Sequence, residues 1–406
     1  MKKQTVFVVG IGMGNPDTMT REAYQAVESA QALVGAARML EPFAHLEKPS
    51  FTSYRPGEIA DWIASHSEYE TVAVLQSGDV GFYSGAKRLY DALSDFSVKA
   101  IPGISSMAYL CSRIPTSWDD VFWVSLHGRQ AGWLGEIASR PKVFLLAGGD
   151  PTPEQIIEML EQNGLSQVTV WVGENLSYSN ERITCGKPGE LAGRQFDKLS
   201  VLLIVNPNPV TAGTAPVGLE DDAFVRGDVP MTKSEVRAVT LSKLQMQSDD
   251  IVYDVGAGTG SVSVEMALCA RGGQVYAIER KPEAAQLIRK NREQFGLPHL
   301  QVVEGLAPQA LEPLPPPDKV FLGGTAGNME EIFRVVLGKN PRARIVVNAI
   351  ALESLNEAVQ CFEKFQMKQV EIAQVTVAKS RQVGKYHMMT GQNPIYIISG
   401  NGGDEQ

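Results

Sequence analysis

Ile251-Val252-Tyr253-Asp254-Val255-Gly256-Ala257-Gly258-Thr259-Gly260-Ser261 runs from an apolar stretch through a glycine-rich turn into a helical pattern, which predicts a strand, a loop and a helix. The glycines fall at Gly256, Gly258 and Gly260, whereas a dinucleotide fingerprint G-x-G-x-x-G would need its third glycine at the position of Ser261. A pyrophosphate ligand is therefore the weaker reading. The spacing suits a backbone that passes close to a ligand without phosphate, with a carboxylate meeting the helix N-terminus. Further on, the strand Gln274-Val275-Tyr276-Ala277-Ile278 ends in Glu279, the usual place for an acid that hydrogen-bonds a ribose diol. A glycine turn alone is equally an ordinary tight loop. The acid in register turns the reading toward a nucleoside-type ligand at the strand ends of an open α/β sheet.

Working outward, 406 residues are many for one core and predict two or three domains. No apolar stretch approaches the roughly 18 to 20 residues needed to cross a bilayer, so no membrane partner is expected. Lys2-Lys3 before Val6-Phe7-Val8-Val9 superficially resembles a signal peptide, but the run breaks at Gly10 and glycines continue to Gly14, as in a first strand and its loop. Cys111, Cys185, Cys269 and Cys361 are scattered, with no C-x-x-C pair, so neither a disulfide framework nor a zinc site is predicted and a reducing cytoplasm fits. The five histidines also lack ligand spacing, and no protein-bound metal is expected. A net charge of −9 argues against nucleic acid as a partner, which asks for a basic face. An acidic small substrate stays compatible, because Arg and Lys act locally within a cleft.

The stretch from Asn206 to Pro216 is rich in proline, glycine and small polar residues and has no apolar period, which predicts a linker over 207–219 between halves 1–206 and 220–406. The first half alternates expected strands near 5–10, 71–76, 98–101, 121–126, 142–147, 168–173 and 200–205 with helical patterns, an α/β series with a parallel sheet in at least its first part. The second half has expected strands near 251–255, 274–278, 300–303, 318–323, 343–348, 369–377 and 394–398. Its last two lack a helix between them and suggest an antiparallel pair closing the sheet. Met231 to Arg237 opens a helix, with Thr232 and Glu235 spaced as a T-x-x-E capping box.

Pro230-Met231-Thr232-Lys233, Asp254 to Glu265, Ala277-Ile278-Glu279-Arg280, Gly305-Leu306-Ala307-Pro308, Phe321-Leu322-Gly323-Gly324 and Asn348-Ala349-Ile350 together resemble the Rossmann-like class I S-adenosylmethionine (SAM) methyltransferases of cobalamin biosynthesis that methylate C15 of a precorrin and decarboxylate its C12 acetate. The resemblance implies cofactor contacts at Thr232, Gly256, Ala257, Gly258, Thr259, Gly260, Glu279 and Ala307. It also implies substrate contacts at Gly324 and Asn348, which fall at carboxyl ends of expected strands. Ala351 departs from the threonine common there in the family.

In the first half, Val8 to Pro16, Ser77-Gly78-Asp79-Val80-Gly81-Phe82-Tyr83, Ile101 to Ser106, Leu126-His127-Gly128-Arg129 and Leu146-Ala147-Gly148 resemble the tetrapyrrole methylase family (class III methyltransferases), its precorrin C5-methyltransferase branch above all. The implied cofactor residues are Met13, Ser77, Gly78, Asp79, Phe82, Ser105, Ser106 and Leu146. His127 with Arg129 reads either as a solvated turn or as a carboxylate-binding pair for a substrate rich in acetate and propionate arms. Arg113, Arg182, Lys233 and Arg237 are further carboxylate readers by residue type, or surface charges.

The two halves together resemble the fused precorrin C5,15-methyltransferase (decarboxylating) family. That resemblance implies SAM as cofactor, a precorrin tetrapyrrole as substrate and a homo-oligomer. The sequence singles out no catalytic acid or base. A scaffold with one degenerate half that delivers substrate to the other is the competing expectation, and the two intact glycine loops speak against it.

Overall fold

The computed structural model describes residues 4–126, 132–147, 149–210 and 217–403. His127, Arg129, Gly148 and linker residues 211–216 lie outside the described residues. Contacts divide the chain into one unit of Met1–Gly128, Lys142–Glu161 and Ser166–Val205 and another of Arg129–Pro141, Gln162–Leu165 and Asn206–Gln406.

In the first unit, β1 (Thr5–Gly10), β2 (Ala32–Gly35), β3 (Ser50–Thr52), β4 (Thr71–Gln76) and β5 (Ser97–Ile101) form a parallel sheet in the order β3-β2-β4-β1-β5. Val6, Val8, Val72 and Val74 are fully buried, as in a parallel sheet covered on both faces. A second sheet takes β6 (Phe122–Ser125), β7 (Lys142–Ala147), β8 (Thr169–Glu174), β9 (Arg182–Gly186) and β10 (Ser200–Val205) in the order β6-β7-β10-β8-β9. Only β6 and β7 run parallel there. The parallel first sheet is as expected. The short strands β2, β3 and β9 were not anticipated.

The second unit is built on β11 (Ile251–Val255), β12 (Gln274–Glu279), β13 (Leu300–Glu304), β14 (Lys319–Leu322), β15 (Arg344–Ala349), β16 (Lys368–Val375) and β19 (Ile395–Asn401), in the order β13-β12-β11-β14-β15-β19-β16. The strands are parallel from β13 to β15, and β19 then runs antiparallel between β15 and β16. The expected antiparallel closure is present. A separate hairpin, β17 (Ala378–Val383) with β18 (Tyr386–Gly391), is inserted between β16 and β19. Strand order reverses at β11, with β12 on one side and β14 on the other, and this switch point is where open α/β sheets open a ligand crevice.

This unit also draws in residues from before position 220. Val217 and Leu219 pack on its core, and the helix Trp133–Ser139 approaches so closely that a Cβ on Gly135 would stand 2.3 Å from the Arg271 carbonyl oxygen.

Candidate functional site

Gly256, Gly258 and Gly260 have φ of +75°, +56° and +78°, the left-handed region where a side chain is strained. Gly256 has a second reason to be glycine, because a Cβ there would meet the Gly324 carbonyl oxygen at 2.5 Å. The turns after β11 and β14 therefore pack backbone on backbone across the switch point. At the end of β12, Glu279 is only 7% exposed, and its carboxylate accepts from the amides of Gly258 and Lys281, each at 2.9 Å.

A cavity of about 610 Å³ opens here. Thr232, Gly256, Ala257, Gly258, Thr259, Glu279, Ala307, Gly324 and Asn348 line it, so the structure gathers nearly every residue expected in this half at one place. Gly260 stands behind the wall at the helix start, where a Cβ would press on Ile288 at 2.9 Å. Asn348 donates from Nδ2 to the hydroxyl of buried Thr240 at 3.0 Å, while that hydroxyl donates to the Val236 carbonyl at 2.8 Å.

Sequence reasoning assigned no role to Asp254, although its place before the glycine turn was the available signal. Asp254 is fully buried and lines the cavity; Oδ2 accepts from the Ser263 hydroxyl, and Oδ1 has no partner. Burial pushes its carboxyl up to about 7 against the Ser263 hydrogen bond, and the charge of Glu279 adds to the rise. Thr259 Oγ1, also on the wall, is likewise buried without a partner. Unpartnered buried acceptors await a ligand that brings donors or positive charge. With the glycine cradle and the acid of β12, their chemistry fits a ligand such as SAM, which carries a hydroxyl pair and an ammonium group. Gln392 and Asn393 also line the cavity, brought there by the antiparallel return of β19, and no motif marks them.

Two expectations need correction. Arg237 is not a substrate reader but a fully buried brace. It pairs with Glu265 at 2.9 Å and Asp221 at 3.0 Å, donates to the carbonyls of Thr232 and Leu219, and lies 4.7 Å over the Phe224 ring. Thr232 and Glu235 make no capping box: the helix Ser234–Leu244 has Lys233 at its N-cap, and Asp221 takes the Ser234 amide at 3.0 Å. The brace fixes the segment that carries cavity-lining Thr232 and Lys233.

In the first unit the turns after β1, β4 and β5 meet. Gly12 and Gly78 exchange backbone hydrogen bonds, and a Cβ on Gly103 would lie 2.2 Å from the Gly78 carbonyl oxygen. Asp79 ties two of these turns, accepting from Gly81 N at 2.8 Å and Gly103 N at 3.0 Å. Ser105 caps the helix that Ser106 begins. Met13, Phe82 and Leu146 belong to one apolar cluster, and Ser77 immediately precedes the Gly78 turn. Tyr178, which carried no sequence signal, packs against the glycine loop: a Cβ on Gly14 would strike its hydroxyl at 2.3 Å. Arg113 is held by Glu181 at 2.9 Å and Arg182 by buried Glu174 at 2.5 Å, so both have carboxylate partners within the protein.

Two family models match separate stretches of the chain. A family model described as precorrin methyltransferase domain matches residues 222–400, and one described as tetrapyrrole (corrin/porphyrin) methylases matches residues 5–192. The chain is 30% identical over 351 residues to a Sinorhizobium sp protein named precorrin-6Y C(5,15)-methyltransferase [decarboxylating], spanning 85% of this chain and 84% of that one. It is 40% identical over 188 residues to the "Probable cobalt-precorrin-6B C(15)-methyltransferase (decarboxylating)" of Pyrobaculum calidifontis, 46% of this chain and 96% of that one. A solved structure of a precorrin-6y C5,15-methyltransferase from Geobacter metallireducens GS-15 superposes with a TM-score of 0.45 at 40% identity, covering 47% of this chain and all of that one.

Proposed function

The chain belongs to the precorrin-6Y C5,15-methyltransferase (decarboxylating) family, and from that premise we propose that it methylates a precorrin at C5 and C15 and removes the C12 acetate carboxyl in corrin-ring biosynthesis. The first half, 1–206, serves C5, and the half 220–406, reached through the linker 207–219, serves C15 and the decarboxylation. The observation that carries this reading is that one chain holds two separate strand-end glycine sites, one of them opening into a cavity lined by Glu279 and Asp254.

When bound, SAM supplies an electrophilic methyl group on a sulfonium. The chain's own residues align and enclose. In the second half, Gly256 and Gly258 would let the backbone approach the cofactor, Glu279 would accept from its ribose diol, and Asp254 and Thr259 would present acceptors to its amino-acid end. Gly324 and Asn348 border the place where the reduced ring brings its enamine-like carbon. In-line alignment and exclusion of water are the protein's main contributions. For carbon dioxide loss, the ring methylated at C15 acts as the electron sink while the protein holds the acetate. Normal decarboxylation after C15 transfer is blocked would contradict that order.

In the first half the corresponding cofactor residues are Met13, Ser77, Gly78, Asp79, Phe82, Ser105, Ser106 and Leu146, with His127 and Arg129 toward substrate carboxylates. The reading extends to a homo-oligomer in the cytoplasm; light scattering of the purified chain tests the oligomer. Mass spectrometry of products from metal-free and cobalt-bound precorrin-6B-type substrates with SAM tests the activity. Two methyl additions and one loss of carbon dioxide on either substrate are expected, and no mass change on both would refute the reading.

A further inference from the structure

The connection between β8 and β9, Asn175 to Glu181, lies against the glycine loop that follows β1. Leu176 joins Met13 in one buried apolar cluster, Ser177 Oγ accepts from the Asn15 amide at 3.3 Å, and the Tyr178 ring fills the space that a side chain on Gly14 would need. Three consecutive residues thus meet the loop that carries the proposed cofactor residue Met13. β8 and β9 are paired antiparallel as far as Glu174 and Arg182, an arrangement that a turn of about two residues can close. The longer excursion here reaches away from its own hairpin to the glycine loop.

The excursion is held in a strained shape. Asn175 and Ser177 have φ of +46° and +70°, left-handed values that persist in residues with a Cβ only where the surroundings impose them. Glu181 supplies the constraint. Its Oε2 accepts from the Ser177 amide at 2.7 Å and the Tyr109 hydroxyl at 2.8 Å, and its Oε1 accepts from Arg113 Nε at 3.0 Å and Nη2 at 2.9 Å. Burial would raise this carboxyl, but the bonds from Ser177, Tyr109 and Arg113 more than offset it and hold it below its ordinary value. Tyr109 and Arg113 belong to the helix Ser106–Arg113, whose N-cap is Ser105. The far anchor of the turn is therefore the helix that opens at two other proposed cofactor residues.

We infer that Glu181 is a positioning residue for C5 methylation: through Ser177 and Tyr178 it fixes the glycine loop of the first site relative to the helix that begins at Ser106. The inference rests on the function proposed for the first half and adds what holds its cofactor site in shape. Glu181 acts through the turn and needs no contact with the reacting atoms. A loop already fixed in its binding shape takes up a ligand without the entropy loss of ordering, so loosening it is read in cofactor affinity.

The test uses the full chain with Glu181→Ala, Glu181→Gln and Ser177→Ala, and the second site of the same chain is the internal control. Glu181→Ala is expected to weaken SAM binding at the first site about tenfold in calorimetry and to raise the KM for SAM in C5 methylation by a similar factor, with the second site unaltered. Glu181→Gln keeps an acceptor for the Ser177 amide and should restore part of the loss. Ser177→Ala spares the Glu181 bonds and removes only the acceptor of the Asn15 amide; about a threefold loss is expected, with faster hydrogen exchange in a peptide covering residues 11–16 of the cofactor-free chain. A role in folding alone predicts a different pattern: fewer folded molecules, hence a lower apparent kcat at an unaltered KM. That pattern, or SAM affinity lowered alike at both sites, would overturn the inference. Should Glu181→Ala fail to fold, Ser177→Ala decides in the same terms. An unaltered chain that binds no SAM at its first site refutes the reading of that half, whereas two working sites with no response to either substitution refute the role of Glu181.

Discussion

The amide of Gly258 donates to Oε2 of Glu279 at 2.9 Å, so the acid that ends β12 also holds the glycine turn that follows β11. One carboxylate thereby shapes the cradle, and under the proposed function its further lone pairs would take a ligand's hydroxyls. Glu279→Ala removes both. SAM affinity at the second site is expected to fall by about 1.5 to 3 kcal/mol, the range for a lost charge-assisted hydrogen bond, while the first site still binds. Calorimetry on the full chain, resolving two binding events, checks it; unaltered affinity at both sites would remove Glu279 from the cofactor site.

Asp254 gives a pH signature. Its carboxyl is raised to about 7 in the folded chain, mainly by burial, from an ordinary value near 3.8. Between those values the folded state holds the proton that the unfolded state has released, so this group's contribution to stability is present below about pH 4 and is lost as pH rises through 7. Asp254→Asn keeps the shape without the charge. Thermal melts without cofactor should find the variant's advantage growing from pH 5 to pH 8, by a few kcal/mol at most. A constant difference across that range would mean that Asp254 is already ionised in the folded chain at pH 5.

Arg237 and Glu265 are both fully buried, and their pairing closes the segment 217–232 onto the second core. Arg237→Met leaves a buried carboxylate short of its cation and should cost about 3 to 5 kcal/mol; adding Glu265→Gln should return part of it. Denaturant unfolding of the three chains measures both steps. Equal stability of the single variant and the unaltered chain would show the brace to be dispensable.

How much of this was legible in the sequence follows from what each signal depends on. The turn at Gly256, Gly258 and Gly260 was readable because its backbone needs positive φ, which the sequence can meet only with glycine or at a cost. The buried strands announced themselves through apolar runs. By contrast, β2, β3 and β9 are three to five residues long, too short for a period, and β17 and β18 expose both faces, so no hydrophobic alternation marks them. The T-x-x-E spacing at Thr232 misled because capping there comes from Asp221, a partner local spacing cannot supply. Arg237 misled for a related reason: residue type suggests a surface reader, and only the fold reveals Glu265 behind it.

The linker reading has its own test. Cleavage between Asn208 and Thr214 should leave two folded pieces, because the segment lacks the apolar pattern of either core. Each piece is expected to keep a cooperative unfolding transition. Aggregation of both, without such a transition, would move the boundary.

Product masses from two variants test most directly the claim that one chain holds two independent methyl-transfer sites. Asp79 ties the turns after β4 and β5 through Gly81 and Gly103, so Asp79→Ala should abolish methylation at C5 yet leave C15 methylation and loss of carbon dioxide. Gly258 has φ of +56° and a Cβ there would stand 3.1 Å from the Pro230 carbonyl oxygen, so Gly258→Val should abolish methylation at C15 while the first site stays intact. The account predicts a singly methylated, decarboxylated tetrapyrrole from Asp79→Ala. A doubly methylated product from that variant would contradict it, by showing that Asp79 is not needed for the first site or that one site serves both carbons.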